Sequence, residues 1–205
     1  MGSRIMHLII ANRIAESLSI EDRTLFLLGS VAPDAVSPKE SSHFFKGEVQ
    51  NYTRFIDYKG FLHKYSSQAE QQYILGYFTH LIADDIWLRG FNLSWLKNRM
   101  EADPDLYPIY HKDFQTLNGK LLEHYGFTNI LKEMLSDVPA VMDLEEVTSK
   151  DVEHFLPYVL GDMEYDKDEV NKQQLQVFTI VQILGYIETS VDMGLLHLKP
   201  MLDVV

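Results

Sequence analysis

The sequence predicts an all-α protein, and two observations indicate that class. Along most of the 205 residues, apolar positions recur at spacings of three and four, as in helices that bury one face. No stretch alternates apolar and polar residues in the way that a half-buried strand does. The length suits one ordinary domain, and no repeat, low-complexity tract or linker divides the chain. We therefore expect a single domain over residues 1–205.

The predicted elements follow one another in chain order. The first helix spans about 5–18, and a second short helix begins after Asp22 and ends at Gly29 and Pro33. Residues 32–64 are rich in Pro, Ser, Gly and aromatic residues and predict a long ordered loop. Further helices are expected at about 66–87, 104–125, 127–135, 149–160 and 166–198, with an acidic connector at 138–148.

Composition limits the classes of function. The formal net charge of −12 argues against a broad nucleic-acid footprint and against charge-driven adhesion to anionic lipid. A phosphate-bearing substrate remains compatible, because bound divalent cations reverse the local sign inside a cleft. With no cysteine, any metal must be held by His, Asp, Glu or backbone oxygens. No apolar run is long enough to span a bilayer and no signal-peptide core is recognisable, so we expect a cytoplasmic protein.

The most informative segment is 76–87, which reads GYFTHLIADDIW. On a helix, His80 and Asp84 are one turn apart and lie on the same face. A histidine and a carboxylate that converge among apolar neighbours need a partner, since an unpaired buried charge is costly. Two interpretations remain open: a bound metal ion, or a His–Asp hydrogen bond on a half-buried face.

Other residues with ligand chemistry are spread along the first 125 positions. His7 lies in an apolar context that suits either a core histidine or a ligand. Asp34 ends the segment GSVAPD, where it is either a turn former or a rigidly aimed ligand. Five histidines lie in contexts that allow them to face one cleft: His7, His43, His63, His80 and His111. The other three lie in amphipathic helices and are interpreted as surface or structural: His124, His154 and His197.

Taken in order, these residues resemble a known family. His7, GSVAPD ending at Asp34, then His43, then GYFTH-x-x-x-D, then His111 are similar to the pattern of zinc-dependent phospholipase C. The closer resemblance is to cytoplasmic bacterial relatives that are often labelled only as hydrolases. The similarity covers about the first 125 residues, and the C-terminal third carries no matching motif.

The resemblance implies a multi-helix bundle, like that of phospholipase C and related nucleases, around one to three zinc ions. Its implied first metal site consists of Asp34, His43, His80 and Asp84. Asp84 would also bridge to a second ion held partly by His7. A further site would include His111, but the glutamate expected four residues later is Gln115. His63 is then a candidate substitute ligand or a substrate contact.

The residue types also have a chemical interpretation of their own. Cysteine-free His/Asp sites suit zinc, iron, manganese or nickel. Bridged ions can clamp a phosphate ester and activate a water, which Asp34 could orient or deprotonate. The leading hypothesis is therefore a metal-dependent phosphoesterase with Asp34 and Asp84 as catalytic residues, acting on a small-molecule or lipid-head-group phosphate ester. The alternatives are a non-catalytic metal-binding or regulatory protein, favoured by Gln115, and a single-strand nuclease, which the net charge disfavours.

Overall fold

The computed structural model describes residues 2–68 and 71–202, and most of them are helical. The all-α prediction is confirmed. In the described residues, strand is confined to one short antiparallel hairpin, β1 (Phe45–Lys46) with β2 (Phe55–Ile56). The α-helices are α1 Arg4–Ser17, α2 Arg23–Val31, α3 Tyr58–Lys64, α4 Gln72–Trp87, α5 Lys97–Ala102, α6 Leu106–Tyr125, α7 Thr128–Ser136, α8 Ser149–Gly161, α9 Lys167–Lys172 and α10 Ile180–Leu202.

Helix α4 is the centre of the core, and nearly all of its side chains are buried. It crosses α2 with backbone against backbone. A Cβ at Gly76 would lie 2.0 Å from the carbonyl oxygen of Phe26, and a Cβ at Gly29 would lie 2.1 Å from that of Tyr73. Only glycine allows this approach. The prediction that Gly29 ends the second helix is wrong, because α2 continues to Val31 and uses Gly29 as its contact with α4.

The C-terminal helix α10 packs against the helices that open and centre the fold. A Cβ at Gly194 would lie 2.4 Å from Cδ1 of Ile14 on α1 and 3.5 Å from Cγ2 of Thr79 on α4. The last helix is therefore part of the same core as the first. Within the described ranges, no helix is both long enough and apolar enough to cross a membrane.

The long loop predicted over 32–64 contains more regular structure than expected. It includes 3₁₀ turns at Ala32–Ala35 and Lys39–Ser41, the hairpin, and α3. The hairpin is fastened to α4 through Asp85, whose Oδ1 accepts the backbone N–H of Ile56 at 2.8 Å. Arg89 donates to the same oxygen at 3.0 Å. Asp85 therefore positions the hairpin rather than facing the interior with Asp84.

Two further predictions about helix boundaries need correction. Helix α4 ends at Trp87 as predicted, but it begins at Gln72 rather than near residue 66, and the chain remains helical after it in a π-helix, Leu88–Leu96, and α5. The single helix predicted over 166–198 is two helices, α9 and α10, separated by residues 173–179. The buried carboxylate of Asp113 on α6 causes the break, since it accepts the backbone N–H groups of three consecutive residues at 2.7–3.1 Å: Gln176, Val177 and Phe178.

Candidate metal centre

Five His and Asp side chains meet where α1, α4 and the turns after α2 come together. They are His7, Asp34, His43, His80 and Asp84. His80 and Asp84 come from one face of α4, as the spacing of four residues predicts. Four of the five residues are no more than 2% exposed, and the side chain of Asp34 is 7% exposed. Asp34 is thus the member of the group that reaches toward the surface.

Asp84 is at the centre of the group, and its two oxygens face different partners. Its Oδ2 lies 3.2 Å from Nε2 of His43 and 3.5 Å from Nε2 of His80. Its Oδ1 lies 3.3 Å from Nε2 of His7 and accepts the backbone N–H of Gly2 at 3.3 Å. The carboxylate therefore connects two sets of nitrogen atoms.

Hydrogen bonds on the outer side of the group assign the tautomers of two histidines. Nδ1 of His80 lies 2.7 Å from the carbonyl oxygen of Ser30, which can only accept, so Nδ1 carries the proton. Nδ1 of His43 lies 2.9 Å from Oγ of Ser42, and that hydroxyl donates to the carbonyl oxygen of Pro33 at 2.7 Å. The hydroxyl therefore accepts from His43. In the neutral form, which metal binding requires, both imidazoles direct an Nε2 lone pair inward. When no ion is bound, Asp34 and Asp84 raise the pKa of His43 against the effect of burial, and its protonated Nε2 donates to Asp84.

The inward-facing atoms are acceptors that converge. The two Nε2 atoms of His43 and His80 lie 3.3 Å apart, and Oδ2 of Asp84 faces both. Oδ1 of Asp34 lies 3.5 Å from Nε2 of His43. Acceptors this close repel one another unless a positive charge, either a proton or a metal ion, lies among them. Two overlapping triads have ligand atoms within 4.8 Å of one another: His7 with Asp34 and His80, and His43 with His80 and Asp84.

The protonation states suit metal ligands. Burial alone would raise the pKa of Asp84, but hydrogen bonding from His43 helps to hold it well below its ordinary value. Burial likewise opposes the charge on Asp34, whose pKa the Lys39 ammonium keeps well below the usual range. Burial lowers the pKa of His80 to about 4. At neutral pH both carboxylates are therefore ionised and His80 is neutral, as metal binding requires.

His7 supplies a separate test of whether the residues fit a metal. Nδ1 of His7 has no hydrogen-bond partner among the described residues, although the side chain is buried, and Nε2 faces Oδ1 of Asp84 at 3.3 Å. The ring stacks on that of His80, with the centroids 3.8 Å apart. A buried imidazole nitrogen without a partner is costly, whereas a nitrogen that ligates a cation is satisfied. The chemistry of the donor set therefore fits a divalent transition metal.

A cleft of about 430 Å³ leads to the group from the surface. Asp34 and Lys39 line it, with Nζ of Lys39 2.5 Å from Oδ1 of Asp34. His111 and Gln115 on α6 and Arg4 on α1 line it as well. The side chains of His111 and Gln115 are exposed, so the structure brings His111 to the cleft but not into either ligand triad.

The remaining histidines lie elsewhere. His63 is exposed on α3, and the structure does not bring it to the buried group. This placement removes the basis for treating it as a substitute ligand. His124 and His154 are exposed on α6 and α8. His197 is half-buried against aromatic side chains of the core.

Three residues that shape the centre were not singled out from the sequence. Ser30 and Ser42 orient the two imidazoles, and Lys39 contacts Asp34. For the serines a signal existed, since Ser30 lies within GSVAPD and Ser42 directly precedes His43. For Lys39 no periodicity or spacing indicated a role, because it lies in an irregular segment.

The fold and the site together define an all-helical protein with a buried, cysteine-free His/Asp centre able to bind metal. The sequence profile of the family described as zinc dependent phospholipase C matches residues 6–156. The chain therefore belongs to the zinc-dependent phospholipase C family, and the resemblance noted from its motifs is confirmed. The match extends beyond the 125 residues expected. No curated protein and no solved structure matches the chain. Membership makes the chain a metal-dependent, phospholipase-like hydrolase.

Proposed function

We propose that the chain, acting as one domain over residues 1–205, hydrolyses phosphate esters with metal-activated water. The observation that carries the proposal is the convergence of Nε2 of His43, Nε2 of His80 and Oδ2 of Asp84 within 3.5 Å of one another. In a site without cysteine this donor set suits zinc, and also iron, manganese or nickel. Membership in a zinc-dependent family favours zinc among these.

The proposed first ion is held by Asp34, His43, His80 and Asp84. A second ion would be held by His7 together with Asp84, which would then serve as a ligand to both ions. The separate orientations of the two Asp84 oxygens support this assignment. A third ion near His111 has less support, because its partner on α6 is the neutral Gln115 and both side chains are exposed.

When bound, the metal supplies Lewis acidity toward phosphoryl oxygens and a nucleophilic water near neutral pH. The chain's own residues supply the rest. Asp84 balances the positive charge from within the core, where it is fully buried. Asp34, at the inner end of the cleft, is the carboxylate placed to orient the attacking water or accept its proton. Ser30 and Ser42 hold the imidazoles in the required tautomers.

The proposed substrate is a phosphate ester of a small molecule or of a lipid head group. The family is named for a phospholipase activity, which favours the lipid. The net charge of −12 disfavours long nucleic acids. The proposed location in the cytoplasm rests on the sequence alone, and cell fractionation tests it.

A hydrolysis screen with defined metal content tests the proposal. The protein is stripped with a chelator and reloaded with zinc, manganese, iron or nickel. It is then assayed on p-nitrophenyl phosphate, bis-p-nitrophenyl phosphate and phosphatidylcholine vesicles. We expect metal-dependent release of product from at least one of these substrates. Metal uptake without hydrolysis of any of them would instead favour the non-catalytic metal-binding role. In a parallel assay on single-stranded DNA, cleavage of the DNA without hydrolysis of the three esters would favour the nuclease.

A further inference from the structure

Lys39 lies at the boundary between the proposed metal centre and the cleft. Its Nζ is 2.5 Å from Oδ1 of Asp34. The lysine side chain is 42% exposed, whereas that of Asp34 is 7% exposed. The ammonium group therefore covers the inner carboxylate on its solvent side. A molecule that enters the cleft reaches Lys39 together with Asp34.

Arg4, another cation among the described residues that line the cleft, has a different partner. Nε of Arg4 donates to Oδ2 of Asp162 at 2.7 Å, and its guanidinium lies 5.3 Å from the centre of the Phe155 ring. Asp162 is not one of the proposed ligands, so metal binding does not disturb this ion pair. Lys39, by contrast, is paired with a carboxylate that the metal would also use.

The net charge of the proposed centre affects how strongly it attracts a phosphate anion. Asp34 and Asp84 together carry two negative charges, which one divalent ion neutralises. A centre that holds only the first proposed ion then has no net charge, and a second ion would make it positive. Lys39 adds one positive charge on the side where the anion enters. Lysine binds phosphate well as a compact charge with three rotatable donors.

The α6 pair that also lines the cleft contains no carboxylate. His111 and Gln115 are exposed there, and an amide cannot recruit a further cation as a glutamate does. We infer that Lys39 binds the phosphate group of the substrate at the mouth of the centre, exchanging its contact with Asp34 for the phosphate oxygens. This inference deepens the proposed function and rests on it for the identity of the ligand.

Binding of inorganic phosphate to metal-loaded protein tests the inference without turnover. Calorimetric titration compares the wild type with Lys39→Met, which keeps the length of the side chain and removes its charge. We expect phosphate affinity to fall about ten- to hundredfold, the scale of a hydrogen bond to a charged group. Metal content, measured by elemental analysis, should not change. Lys39→Arg should keep phosphate affinity within a few-fold of the wild type.

A matched control is Lys132→Met. Lys132 is 32% exposed and pairs with Glu164 at 2.7 Å, outside the cleft, so its loss should leave phosphate affinity unchanged. Circular dichroism establishes that each variant is folded. Three results would overturn the inference: no phosphate binding by the wild type, full phosphate affinity in Lys39→Met, or loss of metal from Lys39→Met. The last result would make Lys39 a structural partner of Asp34.

Hydrolysis is measured separately, so that the two proposals can fail independently. Phosphate binding that depends on Lys39 in a protein that hydrolyses no phosphate ester refutes the proposed function and supports the role of Lys39. Hydrolysis of a phosphate ester, together with unchanged phosphate affinity in Lys39→Met, supports the proposed function and refutes the role of Lys39.

Discussion

Helices α4 and α6 each carry a histidine followed four residues later by a side chain with an oxygen atom, yet the two pairs differ in every other respect. On α4, His80 and Asp84 are buried and meet two further histidines. On α6, His111 and Gln115 are exposed at the rim of the cleft. The comparison teaches that helical spacing brings two side chains together, but that burial, charge and outside partners determine whether they can bind a metal.

The largest expected loss of activity comes from Asp84→Asn, which makes the His–Asp pair on α4 chemically like the His–Gln pair on α6. The variant keeps the volume of the side chain and removes the charge that both proposed ions need. We expect phosphoesterase activity to fall at least about a thousandfold. Metal content should drop by more than one equivalent if the wild type holds two, as elemental analysis will measure.

His154→Asn is the matched control for Asp84→Asn, because His154 is exposed on α8 and belongs to neither ligand triad. It should keep wild-type metal content and activity. Wild-type stoichiometry and activity in Asp84→Asn would mean that His80 and Asp84 form only a buried pair, and the bridging role would be abandoned.

His7→Ala tests whether the two proposed ions bind separately. It removes a ligand from the proposed second ion and leaves the four ligands of the first. We expect one equivalent of metal to remain and activity to fall about ten- to hundredfold, the scale of losing a group that supports a metal site. Elemental analysis and kinetics on the same preparation provide the check. Complete loss of metal would show that the two proposed sites are not separable.

The pH dependence of the free energy of unfolding tests how burial affects His80. His80 is neutral because burial lowers its pKa from 6.5 to about 4. Between these two values the unfolded chain binds the proton and the folded chain does not. The free energy of unfolding of metal-free protein should therefore fall as pH decreases through this window, by on the order of 3 kcal/mol from this group.

Urea unfolding of chelator-treated protein at pH 7 and pH 4 measures this effect. His80→Asn should show a smaller difference between the two pH values than the wild type. His43 acts in the opposite direction, because Asp34 and Asp84 raise its pKa against the effect of burial, so its stabilisation is lost as pH rises. A wild type and variant with equal pH dependence would contradict the assignment to His80.

The smallest expected effect comes from giving α6 the missing charge. Gln115→Glu creates a His–carboxylate pair with the same spacing as the α4 pair, but at an exposed position. We expect a gain of only a fraction of one metal equivalent, since two exposed ligands compete with water. Equilibrium dialysis against zinc, with His111→Ala in the same background as control, detects the gain. A tightly bound additional equivalent would show that charge matters more than burial.

Local patterns predicted the parts of the molecule that local rules determine. The helical class followed from periodicity, and the shared face of His80 and Asp84 followed from their spacing. The break in the last helix could not be predicted, because Asp113 causes it from another helix, more than sixty residues earlier in the chain. Lys39 was missed for a similar reason, since its partner Asp34 lies across a turn of irregular structure.

The crossing of α2 and α4 sets the spacing of the proposed metal ligands. Gly76 lies four residues before His80, about 6 Å along the helix, and Gly29 lies five residues before Asp34. Metal–ligand distances must be right to about 0.2 Å. Even one methyl group at the crossing would force the two backbones apart by more than that tolerance. Two glycines outside the proposed ligand set thus hold the helix that carries His80 and Asp84 at a fixed distance from the segment that leads to Asp34.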